Sequence, residues 1–156
     1  NAKVNRAHDL GFLYRWRPLV KVWQWLFFKP GPVPDANVSP AVDRGRYLVH
    51  ALGHCGECHT PRNFLGAAST ERFLAGGEGR EGKRIPNLTP ARLKSWSDAE
   101  LGEYLRTGTT PDGDSASATM EEVILNTTSK LNAADLQALI AYLRSVPSVA
   151  EPAKEK

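Results

Sequence analysis

Chemistry concentrates in one stretch, Cys55-Gly-Glu-Cys58-His59, where the only two cysteines of the 156-residue chain stand three positions apart and a histidine directly follows the second. That spacing gives each side of a porphyrin a thioether bond and sets an imidazole beneath the iron, the attachment pattern of a covalent haem c. Two other chemistries compete for a C-x-x-C pair. A zinc site needs further thiolates or well-placed histidines, but there is no third cysteine, and His8, His50 and His54 all precede the pair. A redox dithiol of the thioredoxin kind belongs in a βαβ pattern, and none surrounds residues 55–59. Two cysteines and four histidines scattered over this length reproduce the motif about three times in ten thousand, so coincidence is a poor account.

Iron held by His59 on one face requires a decision about the other. Met120 is the only methionine and opens a helical stretch after a loop rich in glycine, serine and threonine. A lone methionine is usually core filler. As a sixth ligand, however, its thioether would favour ferrous iron and raise the reduction potential. His50 and His54 precede Cys55 so closely that the far face is sterically difficult for them, and an open or water-bound position is the remaining choice.

The elements that must hold these ligands are short. Ser39-Pro40 pairs an N-cap with proline at the first helical position. Ala41, Gly45, Leu48 and Leu52 then recur at helical spacing up to Gly53. Gly45 costs about 1 kcal/mol against alanine in a helix interior, which suggests that another helix approaches there. Residues 60–95 hold many glycines and prolines without a sustained period and read as a loop along one haem edge. Ser97 and Glu100 spell a capping box stapled by Trp96 and Leu101, with Gly108 as the stop. Thr119 to Glu122 repeats the box. A last helix begins at Asn132, carries Leu136, Leu139, Ile140 and Leu143 on one stripe and ends before Pro147. Four short helices with long loops need a central object, and haem supplies it.

Composition bounds the rest. The hydrophobic fraction of 41% builds a modest core, and a net charge of +3 from 20 basic and 17 acidic residues gives no basic block for nucleic acid. Residues 1–38 form an aromatic and basic extension with a proline-rich connector, 39–147 the haem domain and 148–156 a charged tail. Leu19 to Phe28 is too short to span a bilayer, which takes about 20 residues. As a helix it gathers Leu19, Val22, Trp23, Leu26 and Phe27 on one face, for a protein groove or, through residues 10–28, a peripheral membrane contact. Protein packing is favoured because Trp25 and Phe28 fall off that face. The chain opens at Asn1 without an initiator methionine or signal peptide, so it reads as a processed form or a piece of a longer chain.

The haem motif, the glycine-bearing helix before it, Ile85-Pro86-Asn87-Leu88, Met120 and the leucine-rich last helix together resemble class I cytochrome c over about residues 40–147. That resemblance implies an all-α fold of several short helices and long loops around one covalent haem c. It also implies that the Pro86 carbonyl orients the His59 imidazole, and that the Gly45 helix crosses the last helix at its bare position. It sets Trp96 near the haem propionates, with a plain core tryptophan as the alternative. A narrower likeness joins Arg44-Gly-Arg-Tyr-Leu-Val, His54-Cys-Gly-Glu-Cys-His-Thr-Pro-Arg-Asn63, Pro86-Asn-Leu-Thr-Pro90 and Trp96-Ser97 to haem domains of multi-haem cytochrome subunits of bacterial membrane-associated dehydrogenases for alcohols, gluconate or fructose. This chain carries a single haem motif where that group carries several.

The expected activity is therefore one-electron transfer without bond chemistry, between a dehydrogenase subunit or neighbouring haem and a quinone, another cytochrome or an oxidase-linked acceptor. Haem attachment puts it in the periplasm, on the outer side of the bacterial inner membrane. Thr60 to Asn63 and residues 76–82, with Arg62 and Arg80, are candidates for the docking edge. The rival reading is a five-coordinate haem enzyme or sensor, peroxidase-like or gas-binding.

Overall fold

A computed structural model describes residues 9–28, 37–79 and 84–150. The chain divides into two compact units, Asn1–Pro32 and Val33–Lys156. In the first, helices α1 (Phe12–Arg15) and α2 (Arg17–Phe27) flank Trp16. Pro18 fits near the start of α2, where a missing N–H is harmless. No side chain of α2 is buried, and Trp23 meets Phe27 one turn on, ring centroids 5.5 Å apart. No helix among the described residues is long and apolar enough to cross a membrane. The proposed connector at 29–34 lies outside the described residues.

The second unit is a set of short helices: α3 (Pro40–Tyr47), α4 (Cys55–His59), α5 (Pro90–Leu93), α6 (Asp98–Thr107), α7 (Ala118–Asn126) and α8 (Ala133–Ser145). A two-stranded antiparallel ribbon joins β1 (Gly77–Glu78) to β2 (Arg84–Ile85). Leu48, Val49, Leu74, Leu93, Leu101, Leu105, Leu136, Leu139, Ile140 and Leu143 form one buried core. Its centre is the crossing of α3 and α8, where a Cβ on Gly45 would fall 1.9 Å from the Ala138 carbonyl oxygen. The bare glycine is what lets the two backbones touch.

Local signals explain most boundaries. Ser39 Oγ accepts from Val42 N, and Ser97 and Glu100 complete their reciprocal box. Asn132 caps α8 by accepting from Asp135 N at 2.8 Å. Three expectations are corrected. The helix from Pro40 is not uniform, because Leu48–Leu52 relaxes into a π turn before Gly53. The cap of α7 is Ser117 rather than Thr119: its carbonyl takes the first helical bond, from Glu121 N at 2.7 Å, and its side chain makes no cap bond. The loop over 60–95 contains α5 and the small ribbon, which are too short to show a period.

Candidate haem site

The motif folds as the single turn of α4, whose N-cap, His54, sits in the left-handed region at φ 47°. Both thiols are free, Cys55 partly buried and Cys58 exposed. Burial pushes the Cys55 thiol up to about 11. A redox dithiol needs the opposite, a thiol lowered toward neutrality. Among the described residues no group of three His, Cys, Asp or Glu side chains is placed to hold a metal ion.

The Pro86 segment holds His59 in place. The imidazole Nδ1 lies 2.8 Å from the Pro86 carbonyl oxygen; a carbonyl only accepts, so Nδ1 carries the proton and Nε2 keeps its lone pair. Burial lowers the His59 pKa, partly opposed by the bond to Pro86, which favours the neutral imidazole that metals bind. The main chain around it is tied as well. The His59 carbonyl accepts from Gly76 N, and Leu74 N donates to Thr60 Oγ1 at 3.1 Å. The Leu74 carbonyl accepts from Leu88 N. Gly76, at φ 84°, passes so close to this loop that a Cβ would meet the Ile85 carbonyl oxygen at 2.7 Å.

One residue beyond Pro86, Asn87 is 2% exposed. Its Oδ1 accepts from Thr89 N at 2.7 Å and its Nδ2 donates to the Val149 carbonyl at 2.8 Å. Residues 148–150, assigned by sequence to a tail, thus lace the His59 loop to the end of α8. Sequence reading missed Thr60, Asn87 and Val149, whose bonds obey no periodicity; the only signal was the polar Asn87 between Pro86 and Leu88.

Met120 stands in the first turn of α7, half-buried and packed against the core. Trp96 also packs there, edge-to-face with Tyr104 at 5.3 Å, and its carbonyl accepts from Arg144 Nη2 at 2.6 Å. Arg144 also donates to the Leu93 carbonyl and to Asp98, fixing the α5–α6 corner beside Trp96. Arg62 pairs with Glu57 at the surface and donates to the Gly66 carbonyl, tying residues 62–66 to the motif helix. Arg80 lies outside the described residues. Two clefts of about 140 and about 330 Å3 share His50, Thr70 and Phe73. Neither is lined by His59 or Met120, so neither is a haem cradle. At their rim His50 Nε2 lies 2.7 Å from Tyr142 Oη, and its ring stacks on Phe73 at 4.5 Å.

Paired unbridged thiols on one helical turn, a neutral imidazole with Nε2 available and a small helical domain around them define a c-type cytochrome domain. The residues fit a covalent haem. The cytochrome c family model matches residues 42–147, and the chain belongs to that family. It is 46% identical over 148 residues to a diheme cytochrome c-type protein of Cereibacter sphaeroides, covering 94% of this chain and 49% of the relative. It is 48% identical over 112 residues to the fructose dehydrogenase cytochrome subunit of Gluconobacter japonicus, covering 70% and 23%. A third relative is the cytochrome c subunit of the quinone alcohol dehydrogenase of Gluconobacter oxydans, 34% identical over 162 residues and covering 96% and 34%. The chain spans about half or less of the length of these curated relatives.

Proposed function

We propose that residues 39–147 carry one haem c on Cys55 and Cys58, with His59 and Met120 as axial ligands and Pro86 and Trp96 in support. The domain then relays single electrons from a dehydrogenase subunit or neighbouring haem to a downstream acceptor in the periplasm. The haem supplies the ferric–ferrous couple. The protein's part is to hold the iron with little rearrangement between the two states, and the observation that carries this is the His59–Pro86 bond. It fixes the tautomer, orients the ring and raises its basicity, and is itself locked by the ties of Thr60, Leu74 and Leu88. Relatives named as cytochrome subunits of dehydrogenases support the choice of partner. The basic, aromatic stretch 10–28 contains no acidic residue and suits a peripheral contact, with a partner subunit or with an anionic membrane.

The test is Met120→Ala in the haem-loaded chain. With Met120 as ligand, the oxidised wild type shows a weak band at roughly 695 nm. The variant loses it and gains carbon monoxide binding. A band absent from the wild type, together with rapid carbon monoxide binding, would instead mark the five-coordinate reading. An intact mass reports the haem count directly.

A further inference from the structure

We infer that the turn between Arg62 and Ala68 is a docking tip, and that Phe64 at its apex seats in an apolar recess of the protein that exchanges electrons with the haem. This rests on the electron-transfer reading of the domain. The turn begins three residues after His59 and closes with a bridge between Arg62 and Ala68. Four of its main-chain N–H groups are tied within the turn. Asn63 N donates to the Ala67 carbonyl and Gly66 N to the Asn63 carbonyl, both at 2.9 Å. Asn63 Oδ1 accepts from Leu65 N and Ala67 N, each at 3.0 Å. Arg62 closes the structure from below, with Nη1 on the Gly66 carbonyl at 2.8 Å and Nη2 on the Glu57 carboxylate at 2.5 Å. Through Glu57 the turn is bolted to the motif helix, and Ala67, 5% exposed, is its buried foot.

A turn this constrained need not display apolar side chains, since asparagine, glycine and serine serve such apices. Here Phe64 is 94% exposed and Leu65 48%. An aromatic presented on a rigid loop has little ordering entropy left to lose on burial, which is what makes an anchor at the centre of an interface. Charge decides the kind of partner. Between Thr60 and Thr70 the one charged side chain is Arg62, and Glu57 balances its charge at the surface. The tip therefore carries no net charge, and its complement is a neutral, apolar recess beside the partner's own redox centre.

Stopped-flow oxidation of the full, haem-loaded chain tests this against two blue-copper proteins, one with an apolar patch over its copper and one with an acidic patch. The wild type should react with the apolar-patch protein at a rate almost independent of salt. Phe64→Ser should slow that reaction about tenfold or more, and Leu65→Ser less, while spectrum and reduction potential stay fixed and the acidic-patch reaction is unchanged. An equal rate in Phe64→Ser overturns the proposal. So does a shifted potential, which would make Phe64 a haem-packing residue. Two further results overturn it by naming another occupant: a wild-type dimer in sedimentation that Phe64→Ser dissolves, or binding to phosphatidylcholine vesicles lost in that variant. If the wild type exchanges electrons with neither copper protein, the electron-transfer reading fails and the tip with it.

Discussion

Gly45→Ala tests the packing on which the fold turns. A helix interior alone would welcome alanine by about 1 kcal/mol. The new Cβ, however, falls 1.9 Å from the Ala138 carbonyl oxygen and 2.7 Å from Tyr142 Cβ. Carbon and carbonyl oxygen settle near 3.3 Å, so α3 and α8 must separate by about 1.4 Å. A gap of 0.5–1 Å already forfeits at least about a quarter of a dispersion well, and a buried leucine makes about 50 contacts of roughly 0.15 kcal/mol. Each leucine whose packing opens thus loses about 2 kcal/mol. With Leu48 and Leu139 both buried in this core, the loss is about 4 kcal/mol, or about 3 after the propensity gain. That corresponds to a fall in melting temperature of roughly 10 °C. Guanidinium unfolding of the haem-loaded chain measures it. A loss under about 1 kcal/mol, or a gain, would refute the close crossing.

Three further outcomes concern the site and its surroundings. Asn87→Ala leaves Thr89 N without its acceptor and the Val149 carbonyl with only the longer bond from Thr89 Oγ1 at 3.4 Å, and should cost about 1–3 kcal/mol in urea unfolding. Burial, and then Arg46, lower the His50 pKa, so the unfolded chain binds the proton first; stability is whole above the ordinary histidine value and falls as pH drops below it. Melting curves of His50→Gln should lose that slope, and an unchanged slope would exonerate His50. Hydrogen bonds from Arg44 and from Ser97 lower the Asp135 and Glu100 pKa values. Their contribution is present above the unfolded carboxylate values and lost as pH falls through the depressed ones. The gap in melting temperature between the wild type and Asp135→Asn/Glu100→Gln should therefore close on acidification, and a gap that persists at low pH would contradict it.

What could be read from sequence divides along physical lines. The boundaries of α6 and α8 were legible because their caps are local: Ser97 with Glu100, and Asn132 three residues before Asp135. Gly45 was legible because a glycine on a buried stripe has few purposes. The π turn at Leu48–Leu52 was not, since widening one turn leaves no mark on the spacing of Ala41, Gly45, Leu48 and Leu52. The ties around His59 were not either, apart from the Pro86 carbonyl suggested by family likeness. Thr60 with Leu74, and Asn87 with Val149, are side-chain to main-chain bonds across 14 and 62 positions. The second exists only once α8 has brought Val149 back beside Asn87.

Those ties also account for Leu74. A leucine at φ 60° is disfavoured by about 1–2 kcal/mol, and such a conformation persists only where its surroundings over-determine it. Here they do: the side chain is fully buried in the core, its N–H is bound by Thr60, and its carbonyl by Leu88. Thr60 is the neighbour of His59, and Leu88 lies two residues past the carbonyl that His59 Nδ1 holds. Leu74 is thus the common anchor of both chain segments that orient the imidazole. An electron carrier works best when the iron's ligands do not move with its charge. Local strain, offset by core burial and two hydrogen bonds, is a physical means of keeping the His59 imidazole still, as its proposed place on the iron requires.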